Sequence, residues 1–506
     1  MSRRYAVVGT GARAEMFIRA LTRDHAGTSE LVGLCDRNPL RIAAHDRWLS
    51  EAGHAGVPGY PAERLADMLA ERRVDTLVVT SMDREHAKHI VTALEAGCDV
   101  LTEKPMTTDA AGARAVLDAQ RRTGKRVAVT FNYRFNPVHE KVRTLLASGA
   151  VGEIGSVHFE WMLDVRHGAD YFRRWQRDRA NSGGLLVHKS GHHFDLVNWW
   201  LGARPETVFA SGRLFFYGDK AGAEHGYARD YERAHGSPAA ADDPFAIRLE
   251  DNDRLRALYL DAESSDGYLR DRNVFGPGVT IQDDMAVLVR YDTGATMTYH
   301  LTAYAPWEGY RLMVNGSKGR LELEVVESDH VSPAEASALK GAAVHGEAAA
   351  AEQGWARLTL HPYWSPPQLV PLPGRASRPG DAHMCSEQSA PERNASGDAH
   401  MCSEQSAPER NASGDAHMCS EQSAPERNAS GDARMCSEQS GDEREGHGGG
   451  DKRMLAVLLG AAVDPLDRSA TARDGALALL TGLAANRSMD TGGPVRVSEL
   501  LDLETE

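Results

Sequence analysis

The stretch RYAVVGTGARAEMFIRAL, residues 4–21, decides the fold of the N-terminal part of the chain. It begins with a short apolar run, residues 4–10, of the kind that forms a buried strand. Its second part, residues 12–21, repeats apolar side chains at the spacing that a helix requires. A turn that contains two glycines separates the two parts. The stretch therefore predicts a strand that passes through a tight turn directly into a helix.

The turn itself reads Gly9-Thr10-Gly11-Ala12-Arg13-Ala14. In a dinucleotide-binding fingerprint the first glycine makes the turn, the second lets a pyrophosphate approach the backbone, and a small residue fills the third position. Asp36 ends the next apolar run, 25 residues after Gly11, where a carboxylate can accept hydrogen bonds from the ribose of NAD. Arg37 could instead pair with the 2'-phosphate of NADP, and an Asp here is often only a helix cap. The sequence predicts an NAD site, with NADP as the alternative.

Apolar runs and helix-length segments alternate along residues 1–133. The predicted strands include ELVGLCD, VDTLVVTS and CDVLTEKP, and the predicted helices include PAERLADMLAERR and EHAKHIVTALEAG. Such alternation is typical of a doubly wound parallel sheet with helices on both faces. We therefore expect an α/β protein with a Rossmann domain over residues 1–133, followed by a second domain over residues 134–506.

Length and composition limit the kinds of protein that the chain can be. At 506 residues it exceeds the length at which one core usually stops growing, which predicts two domains. The formal net charge of -15 argues against a nucleic-acid partner, because a basic surface usually holds such a partner. No apolar run approaches the roughly 18 residues of a membrane span, and the N-terminus lacks the long apolar region of a signal peptide. We expect a cytoplasmic protein without a membrane partner.

Residues 374–446 form an insertion that repeats itself. The unit GDAHMCSEQSAPERNAS occurs three times unchanged, from Gly380, Gly397 and Gly414, and a fourth, altered copy begins at Gly431. Met and Cys are the only larger apolar residues of the unit, so we expect a solvated, disordered segment without a core. The alternative is that its His-x-Cys pairs collect a soft metal ion. Four of the six cysteines lie here, which leaves no disulfide framework for the folded body.

A second unusual stretch is GGLLVHKSGHHFDLVNWW, residues 183–200. On a helix, His188 and His192 lie on one face and could point together toward a substrate. A neutral imidazole can accept the proton that an alcohol loses on oxidation. We therefore predict proton transfer by His192, with His188 or Lys189 orienting the substrate.

Two other interpretations of this stretch stay open. A metal site on the histidine pair needs a third ligand, for which His447 and Asp451 in GHGGGD are the candidates. Lys189 argues against that site, since a fixed ammonium beside a dication is unfavourable. Alternatively the histidines are structural or solvated, an interpretation that suits His193 best. We expect no bound metal ion.

These motifs together resemble the Gfo/Idh/MocA oxidoreductase family. The resemblance rests on GTGARA in the glycine turn, TEKPM at residues 102–106, FNYRFNP at residues 131–137 and the glycine pair before the histidines. It implies a nicotinamide cofactor in the first domain, an α+β second domain with an open, mostly antiparallel sheet, and a sugar or cyclitol bound between them. Lys104 matches the family lysine that lies near the nicotinamide and the reacting hydroxyl. Where the family has an aspartate four residues before the helix histidine, this chain has His188.

The resemblance also extends the set of predicted site residues. The predicted catalytic residues are Lys104, His192, His188 and Lys189. The predicted cofactor-binding residues are Gly9, Gly11, Ala12, Arg13, Asp36, Arg37, Ser81, His86, Glu103, Lys104 and Asn132. The predicted substrate-binding residues are Arg134, Arg174, Trp175, His193, Asp195 and His447. The basic and aromatic residues 171–184 favour such a site, because aromatic rings stack on sugar faces and arginines bind hydroxyls or acidic substituents. The alternative for this stretch is a solvated surface loop.

The sequence as a whole predicts an NAD(P)-dependent dehydrogenase of a sugar, a sugar derivative or a cyclitol. Two alternatives remain. Family members with a similar GHGG stretch cleave glycosides with tightly held NAD, by transient oxidation and elimination, and a sensor would bind sugar and dinucleotide without chemistry. The open sheet that the resemblance implies also predicts a homo-oligomer. No sequence pattern predicts where residues 219–280 lie in the fold, although GYLRDRNVFG within them could cover the cleft between the two domains.

Overall fold

A computed structural model describes residues 2–331, 354–373, 449–460 and 462–503. The predicted insertion of residues 374–446 and the candidate ligand His447 lie outside these ranges. Two sheets organise the described residues, one of seven strands and one of nine. In the part of the chain that the structure describes, no helix combines the length and the apolar character that crossing a bilayer requires.

The strands of both sheets are numbered along the chain. They are β1 (Arg3–Val8), β2 (Ser29–Asp36), β3 (Gly59–Pro61), β4 (Thr76–Val79), β5 (Asp99–Thr102), β6 (Val127–Val129), β7 (Ile154–Asp164), β8 (Pro205–Arg213), β9 (Asp284–Tyr291), β10 (Thr296–Ala305), β11 (Glu308–Gly316), β12 (Gly319–Ser328), β13 (Trp355–Pro362), β14 (Gln368–Val370), β15 (Ala470–Thr471) and β16 (Val495–Arg496).

The two sheets differ in how their strands run. The first has the order β15-β6-β5-β4-β1-β2-β3 and is parallel, except that β15 runs antiparallel to β6. The second has the order β14-β13-β12-β11-β7-β10-β9-β8-β16 and is antiparallel, except that β10 runs parallel to β7. The expected fold class, a parallel Rossmann sheet and a mostly antiparallel second sheet, is confirmed.

Helices cover the sheets and are numbered in the same way. They are α1 (Ala12–Arg19), α2 (Pro39–Glu51), α3 (Leu65–Glu71), α4 (His86–Glu95), α5 (Ala110–Thr123), α6 (Pro137–Ala147), α7 (Val165–Arg173), α8 (Arg179–Ser182), α9 (Leu185–His188), α10 (Ser190–Leu201), α11 (Gly218–Glu224), α12 (Asp253–Leu255), α13 (Glu263–Asp266), α14 (Gly450–Leu458) and α15 (Ala472–Thr491).

Local sequence explains where several of these helices begin. The Asn38 side chain accepts a hydrogen bond from the Leu40 amide, and Pro39 occupies the first position of α2. Asn136 and Pro137 do the same for α6, whose Val138 amide donates to the Asn136 side chain. Polar caps before proline therefore start the helix that follows β2 and the helix that opens the second domain.

Helix α10 has no solvated face. Every residue from Ser190 to Trp200 is buried, because α6 and α15 pack against the helix. His188 and Lys189, which immediately precede it, are buried as well. These histidines are therefore not solvated, whereas the structural interpretation fits His193, which is buried beside the Tyr299 hydroxyl.

The unplaced residues 219–280 turn back onto the first domain. Within them the π-helical turn Arg256–Leu260 packs against α2. Asn38 Nδ2 donates to the Ala262 carbonyl at 2.9 Å, and Arg41 Nε donates to the Leu258 carbonyl at 2.9 Å. This part of the second domain therefore covers the edge of the parallel sheet where its strands end.

Candidate active site

One cavity lies between the two domains at the carboxyl edge of the parallel sheet. Its volume is about 390 Å³, and its walls come from the ends of β1, β2, β4 and β5 and from helices α7, α9 and α10. Most of the predicted site residues line it, namely Gly9, Gly11, Ala12, Arg13, Asp36, Arg37, Ser81, His86, Glu103, Lys104, Asn132, Arg174, Trp175, His188, Lys189 and His192.

The glycine turn has the form of a phosphate-binding loop. Gly9 has a φ of +90°, and a Cβ atom there would lie 2.4 Å from backbone atoms of Ser81, so glycine is required. The Gly9 amide donates to the Cys35 carbonyl at 2.8 Å and joins the turn to β2. At the start of α1, the Ala12 amide donates to the Tyr259 hydroxyl at 3.0 Å. Amides at a helix start attract anions, so the turn fits a dinucleotide pyrophosphate, with the Tyr259 hydroxyl beside it.

Asp36, predicted to bind the adenosine ribose, is buried at the end of β2. Its Oδ2 accepts hydrogen bonds from the Thr10 amide (2.6 Å) and the Thr10 hydroxyl (3.0 Å), and its Oδ1 accepts one from the Asn38 amide (2.8 Å). The side chain that caps α2 is Asn38. Asp36 is therefore held rigidly at the cavity wall. Arg37 is more exposed and lies 3.6 Å from Asp266.

Arg13 joins the glycine turn to helix α14. Its Nε donates to Glu103 Oε1 at 2.5 Å, and its two terminal nitrogens donate to the Asp451 carboxylate at 3.2 and 3.1 Å. Asn132 Nδ2 also donates to Asp451, at 2.8 Å. Asp451, a candidate metal ligand in the sequence, is therefore engaged with an arginine and an amide.

Lys104 reaches the cavity from the end of β5. Its Nζ donates to the His188 carbonyl at 3.0 Å, so the lysine contacts the second domain. The peptide between Lys104 and Pro105 is cis. Burial lowers the pKa of Lys104, and the opposite charges of Asp83 and Glu103 counteract this effect. A lysine with a lowered pKa exchanges protons more readily at neutral pH than an exposed lysine does.

His188 meets a carboxylate from the first domain. Its Nδ1 lies 2.5 Å from Asp83 Oδ2, and both residues are buried. Burial and the nearby Lys104 lower the pKa of His188 well below its ordinary value, so the imidazole is neutral. Tyr171 and Trp175 lie edge-on to this ring, with centroids at 5.6 and 5.8 Å. The imidazole is therefore fixed in one orientation between two aromatic rings.

His86 supports two of the loops that form the cavity. One ring nitrogen lies 2.8 Å from the Pro105 carbonyl, and the other lies 3.0 Å from the Ser81 carbonyl. The Ser81 hydroxyl lies 3.0 Å from His89 Nδ1. His86 therefore joins the loop after β4 to the loop after β5, which carries Lys104.

Tyr133 positions two further predicted residues. Its hydroxyl accepts a hydrogen bond from Lys189 Nζ at 2.9 Å, and the ammonium also lies over the Tyr133 and Trp161 rings, 5.2 and 5.3 Å from their centroids. The His192 ring stacks on the Tyr133 ring, with 4.3 Å between the centroids. Lys189 and His192 therefore face the cavity from a common aromatic support.

Arg134, His193 and Asp195 were predicted to bind substrate, but they do not line the cavity. Two Arg134 nitrogens donate to Asp195 at 2.8 and 2.6 Å, in a pair that is almost fully buried. Burial raises the pKa of Asp195 to about 6, although Arg134 opposes the rise. His193 lies 2.7 Å from the Tyr299 hydroxyl and stacks on Trp161. Arg134 and Asp195 therefore bind each other, and His193 binds Tyr299, so that all three hold α10 within the core.

Helix α7 and the residue after it form a basic wall. Asp170 Oδ2 accepts a hydrogen bond from Arg174 at 2.9 Å, and Asp170 Oδ1 accepts one from Arg270 at 3.1 Å. Arg173 lies 3.9 Å from the same carboxylate. Asp170 and Arg174 line the cavity. The single carboxylate of Asp170 is therefore the shared partner of three guanidinium groups.

Several residues of the cavity were not predicted, among them Asp83, Asp170, Tyr171, Tyr259 and Tyr268. The signal for Asp83 exists, because an acidic residue just after a parallel strand lies at the edge where such sheets bind ligands. The two later tyrosines belong to residues 219–280, where no local pattern indicates contact with the first domain.

No metal site emerges from the residues that can be placed. Among them, no three His, Cys, Asp or Glu side chains come together in a group that could hold a metal ion. His188 instead contacts a carboxylate, and Asp451 contacts Arg13 and Asn132.

Comparison with known proteins places the chain among oxidoreductases. The Gfo/Idh/MocA model for an NAD-binding Rossmann fold matches residues 3–131, and the model for the C-terminal alpha/beta domain of the same oxidoreductase family matches residues 143–347. YteT of Bacillus subtilis (strain 168), named as an oxidoreductase, is 38% identical over 332 residues, which cover 62% of this chain and 75% of YteT. The first domain is therefore an NAD-binding Rossmann domain.

Two more distant likenesses agree with this. Inositol 2-dehydrogenase 3 of Saccharopolyspora erythraea is 34% identical over 153 residues, which cover 30% of this chain and 43% of that enzyme. The WlbA dehydrogenase of Bordetella pertussis, solved in complex with NADH and UDP-GlcNAcA, is 16% identical with a TM-score of 0.55, and the match covers 98% of this chain and 97% of WlbA. At that identity the second likeness concerns the fold.

Proposed function

Because the chain belongs to the Gfo/Idh/MocA oxidoreductase family, we propose that it is an NAD-dependent dehydrogenase that oxidises a hydroxyl of a sugar, a sugar derivative or a cyclitol. The observation that carries this proposal is one cavity lined by the glycine turn, Lys104 and His192 together. The name of the inositol 2-dehydrogenase relative supports a polyol or sugar ring as substrate. Bound NAD would supply the acceptor for the hydride that leaves the carbinol carbon.

Lys104 and His192 are proposed to manage the proton of the reacting hydroxyl. The Lys104 ammonium is held by the His188 carbonyl, and its lowered pKa supports a role in binding the alcohol oxygen and assisting proton loss. His192 stacks on Tyr133 at the wall of the same cavity and would accept the proton. Lys189, fixed by the Tyr133 hydroxyl, would orient the substrate.

The pair of Asp83 and His188 is proposed to take over the place of the aspartate that the family pattern has at position 188. Asp83 brings a carboxylate from the first domain to the imidazole at 2.5 Å, and its charge also acts on Lys104. In this arrangement Asp83 positions His188, and His188 positions Lys104 through its carbonyl. The carboxyl group beside the lysine therefore comes from the first domain rather than from the helix; burial raises the pKa of Asp83, and Lys104 and Arg174 oppose that rise.

The proposal is tested with a panel of sugars, uronates, cyclitols and amino sugars, each assayed for reduction of NAD and of NADP. Reduction of NAD by at least one ring polyol is expected, and Arg37 leaves NADP as the alternative acceptor. A protein that binds NAD but reduces it with no member of the panel would contradict the proposal. The Lys104→Met variant separates catalysis from background reduction.

A second candidate function is cleavage of glycosides with retained NAD. The observation that favours it is that residues 256–268 cover the dinucleotide end of the cavity. The Tyr259 hydroxyl accepts a hydrogen bond from the Ala12 amide, and Asp266 forms an ion pair with Arg41 at 2.8 Å. A covered cofactor would leave slowly, so NAD could be reduced by the sugar and reoxidised when the hydride returns, within one turnover. Release of the phenol from aryl glycosides without accumulation of NADH would establish this activity. Net NADH formation from free sugars would exclude it as the main reaction.

The second sheet supports the proposal of a homo-oligomer. Along β9 buried and exposed side chains alternate, so one face of the sheet is open. Phe209 and Leu288 are exposed on that face, as directly paired residues of β8 and β9. Exposed apolar pairs on a sheet are typical of interaction surfaces. A monomer in sedimentation experiments at micromolar concentration would contradict this proposal.

A further inference from the structure

The basic wall of the cavity carries more positive than negative charge. Asp170 is shared by Arg174, Arg270 and Arg173, whose nitrogens lie 2.9, 3.1 and 3.9 Å from its oxygens. Within the described ranges, these three arginines form no ion pair with a second carboxylate. Arg173 and Arg270 are almost fully buried, and 17% of the Arg174 side chain is exposed. The cluster therefore has three positive charges for one negative charge.

This imbalance does not depend on pH in the ordinary range. Burial alone would raise the pKa of Asp170, but Arg270, Arg174 and Arg173 together hold that pKa well below its ordinary value. The carboxylate is ionised, and guanidinium groups stay charged. Excess charge in a buried cluster is unfavourable unless a counter-charge meets it. The Nε atoms of all three arginines are moreover buried without an acceptor in the described structure.

The arginines at the dinucleotide end of the cavity differ, because each has a carboxylate partner. Arg13 has two carboxylate partners of its own, Glu103 at 2.5 Å and Asp451 at 3.1 Å. Arg41 is paired with Asp266 at 2.8 Å. The positive charge at the glycine turn is therefore balanced within the protein, and the excess lies on the wall that the second domain contributes.

Arg174 brings this excess charge into the cavity. It is the member of the arginine cluster that lines the cavity, together with Tyr171 and Trp175, and one of its terminal nitrogens donates to Asp170 at 2.9 Å. It also acts electrostatically on His188 and on Lys104, the groups assigned to the substrate hydroxyl. Building on the proposed dehydrogenase function, we infer that the substrate is an acidic sugar or cyclitol derivative, such as a uronate, whose carboxylate pairs with Arg174.

Matched pairs of compounds test this inference. Glucuronate with glucose, galacturonate with galactose, and the methyl glycosides of each differ at one carbon, which carries either a carboxylate or a neutral alcohol. Binding is measured by calorimetry in the presence of NAD, and turnover by reduction of NAD. The acid of at least one pair is expected to bind about 10- to 100-fold more tightly and to react with a correspondingly higher kcat/KM, as a charge-assisted hydrogen bond provides.

Variants then assign the preference to one side chain. Arg174→Gln is expected to reduce the ratio of acid to neutral affinity to within about threefold of one, whereas Arg174→Lys keeps part of it. Arg179→Gln is the matched control, because it removes the same charge five residues later from a surface pair with Asp490. The control is expected to retain the preference. Thermal melting confirms that each variant is folded.

The outcomes separate this inference from the proposed function. Acid-selective binding that Arg174→Gln removes supports the inference even if no compound reduces NAD, in which case dehydrogenase activity is the part that fails. Equal binding of acid and neutral partners, tighter binding of the neutral partner, or no binding of any pair overturns the inference. NAD reduction by neutral sugars alone would leave the dehydrogenase proposal intact and would overturn the inference that the substrate carries a carboxylate.

Discussion

The two walls of the cavity are built in different ways. The first-domain wall consists of strand ends and turns, and its shape follows from backbone geometry such as the positive φ of Gly9. The second-domain wall consists of side chains on buried helices, and partners far away in the sequence hold them: Asp83 for His188, and Tyr133 for Lys189. The first wall is thus local in origin, and the second depends on the complete tertiary structure.

Lys104 belongs to the first wall but touches the second, and its removal should have the largest effect. Lys104→Met is expected to lower kcat by about 10²- to 10⁴-fold, because a positioned acid–base group is lost. Its affinity for NAD should change by less than about threefold, since the glycine turn keeps its geometry. Stopped-flow or steady-state rates and NADH fluorescence titration measure the two quantities. Normal turnover in this variant would remove Lys104 from the mechanism.

The matched control is Lys220→Met, which removes an exposed ammonium from α11, away from the cavity lining. It should leave both kcat and NAD affinity unchanged. If both lysine variants lost the same activity, the effect of Lys104→Met would reflect general destabilisation, and melting temperatures would reveal it.

A second prediction concerns the support of the second wall. Asp195→Ala leaves the buried Arg134 without its main counter-charge and should lower the free energy of unfolding by about 3 kcal/mol or more. Asp490→Ala breaks a similar two-bond arginine pair at the surface and should cost under about 1 kcal/mol. Urea unfolding measures both. Equal losses would show that burial is not what makes the Arg134 pair important.

Asp83 belongs to the first wall and contacts His188 of the second wall. The Asp83→Asn variant tests what that contact contributes. We expect kcat/KM to fall about 10- to 100-fold, because His188 loses a charged partner. The pH profile should shift too. The Asp83 carboxylate raises the pKa of Lys104, so its removal lets burial lower that pKa further, and the acidic limb for alcohol oxidation should move to lower pH. A shift to higher pH would contradict the assignment.

A double variant sharpens the same comparison. Asp83→Asn combined with His188→Asp returns the carboxylate to the helix, where the family pattern has it. Recovery of part of the lost turnover is expected, because the negative charge is again beside Lys104. Asp118→Asn, at a half-exposed position of α5 away from the cavity lining, is the control for charge removal as such. No recovery in the double variant would mean that Asp83 acts only in packing.

The sequence predicted the first wall better than the second for a physical reason. The strands and helices around the glycine turn follow from short-range patterns, and all eleven predicted cofactor-binding residues line the cavity. On α10 the sequence assigned proton transfer to His192, which lines the cavity, but left His193 open between substrate binding and a structural role, and the His193 ring packs on Trp161. Both are buried on one helix, and only the positions of the partner rings separate them.

The Asp83 contact shows the limit more sharply. Asp83 and His188 are 105 residues apart, and neither has a local pattern that refers to the other. Asp170 was overlooked although it precedes the basic stretch at residues 171–184 by one position. A single acidic residue among arginines gives no signal in a sequence. The role of Asp170 depends on its contact with Arg270. Arg270 belongs to residues 219–280, whose place in the fold the sequence patterns did not predict.

The smallest effect is expected where the second domain closes over the first. Asp266→Asn breaks the ion pair with Arg41 that holds residues 256–268 against α2, and should raise the NAD dissociation rate about 3- to 10-fold, as loss of about 1 kcal/mol implies. Asp261→Asn, an exposed change in the same segment, should leave that rate unchanged. Stopped-flow displacement of NADH measures both rates. If Asp266→Asn released NAD no faster than Asp261→Asn did, the segment would not retain the cofactor, and the case for glycoside cleavage with retained NAD would lose its structural basis.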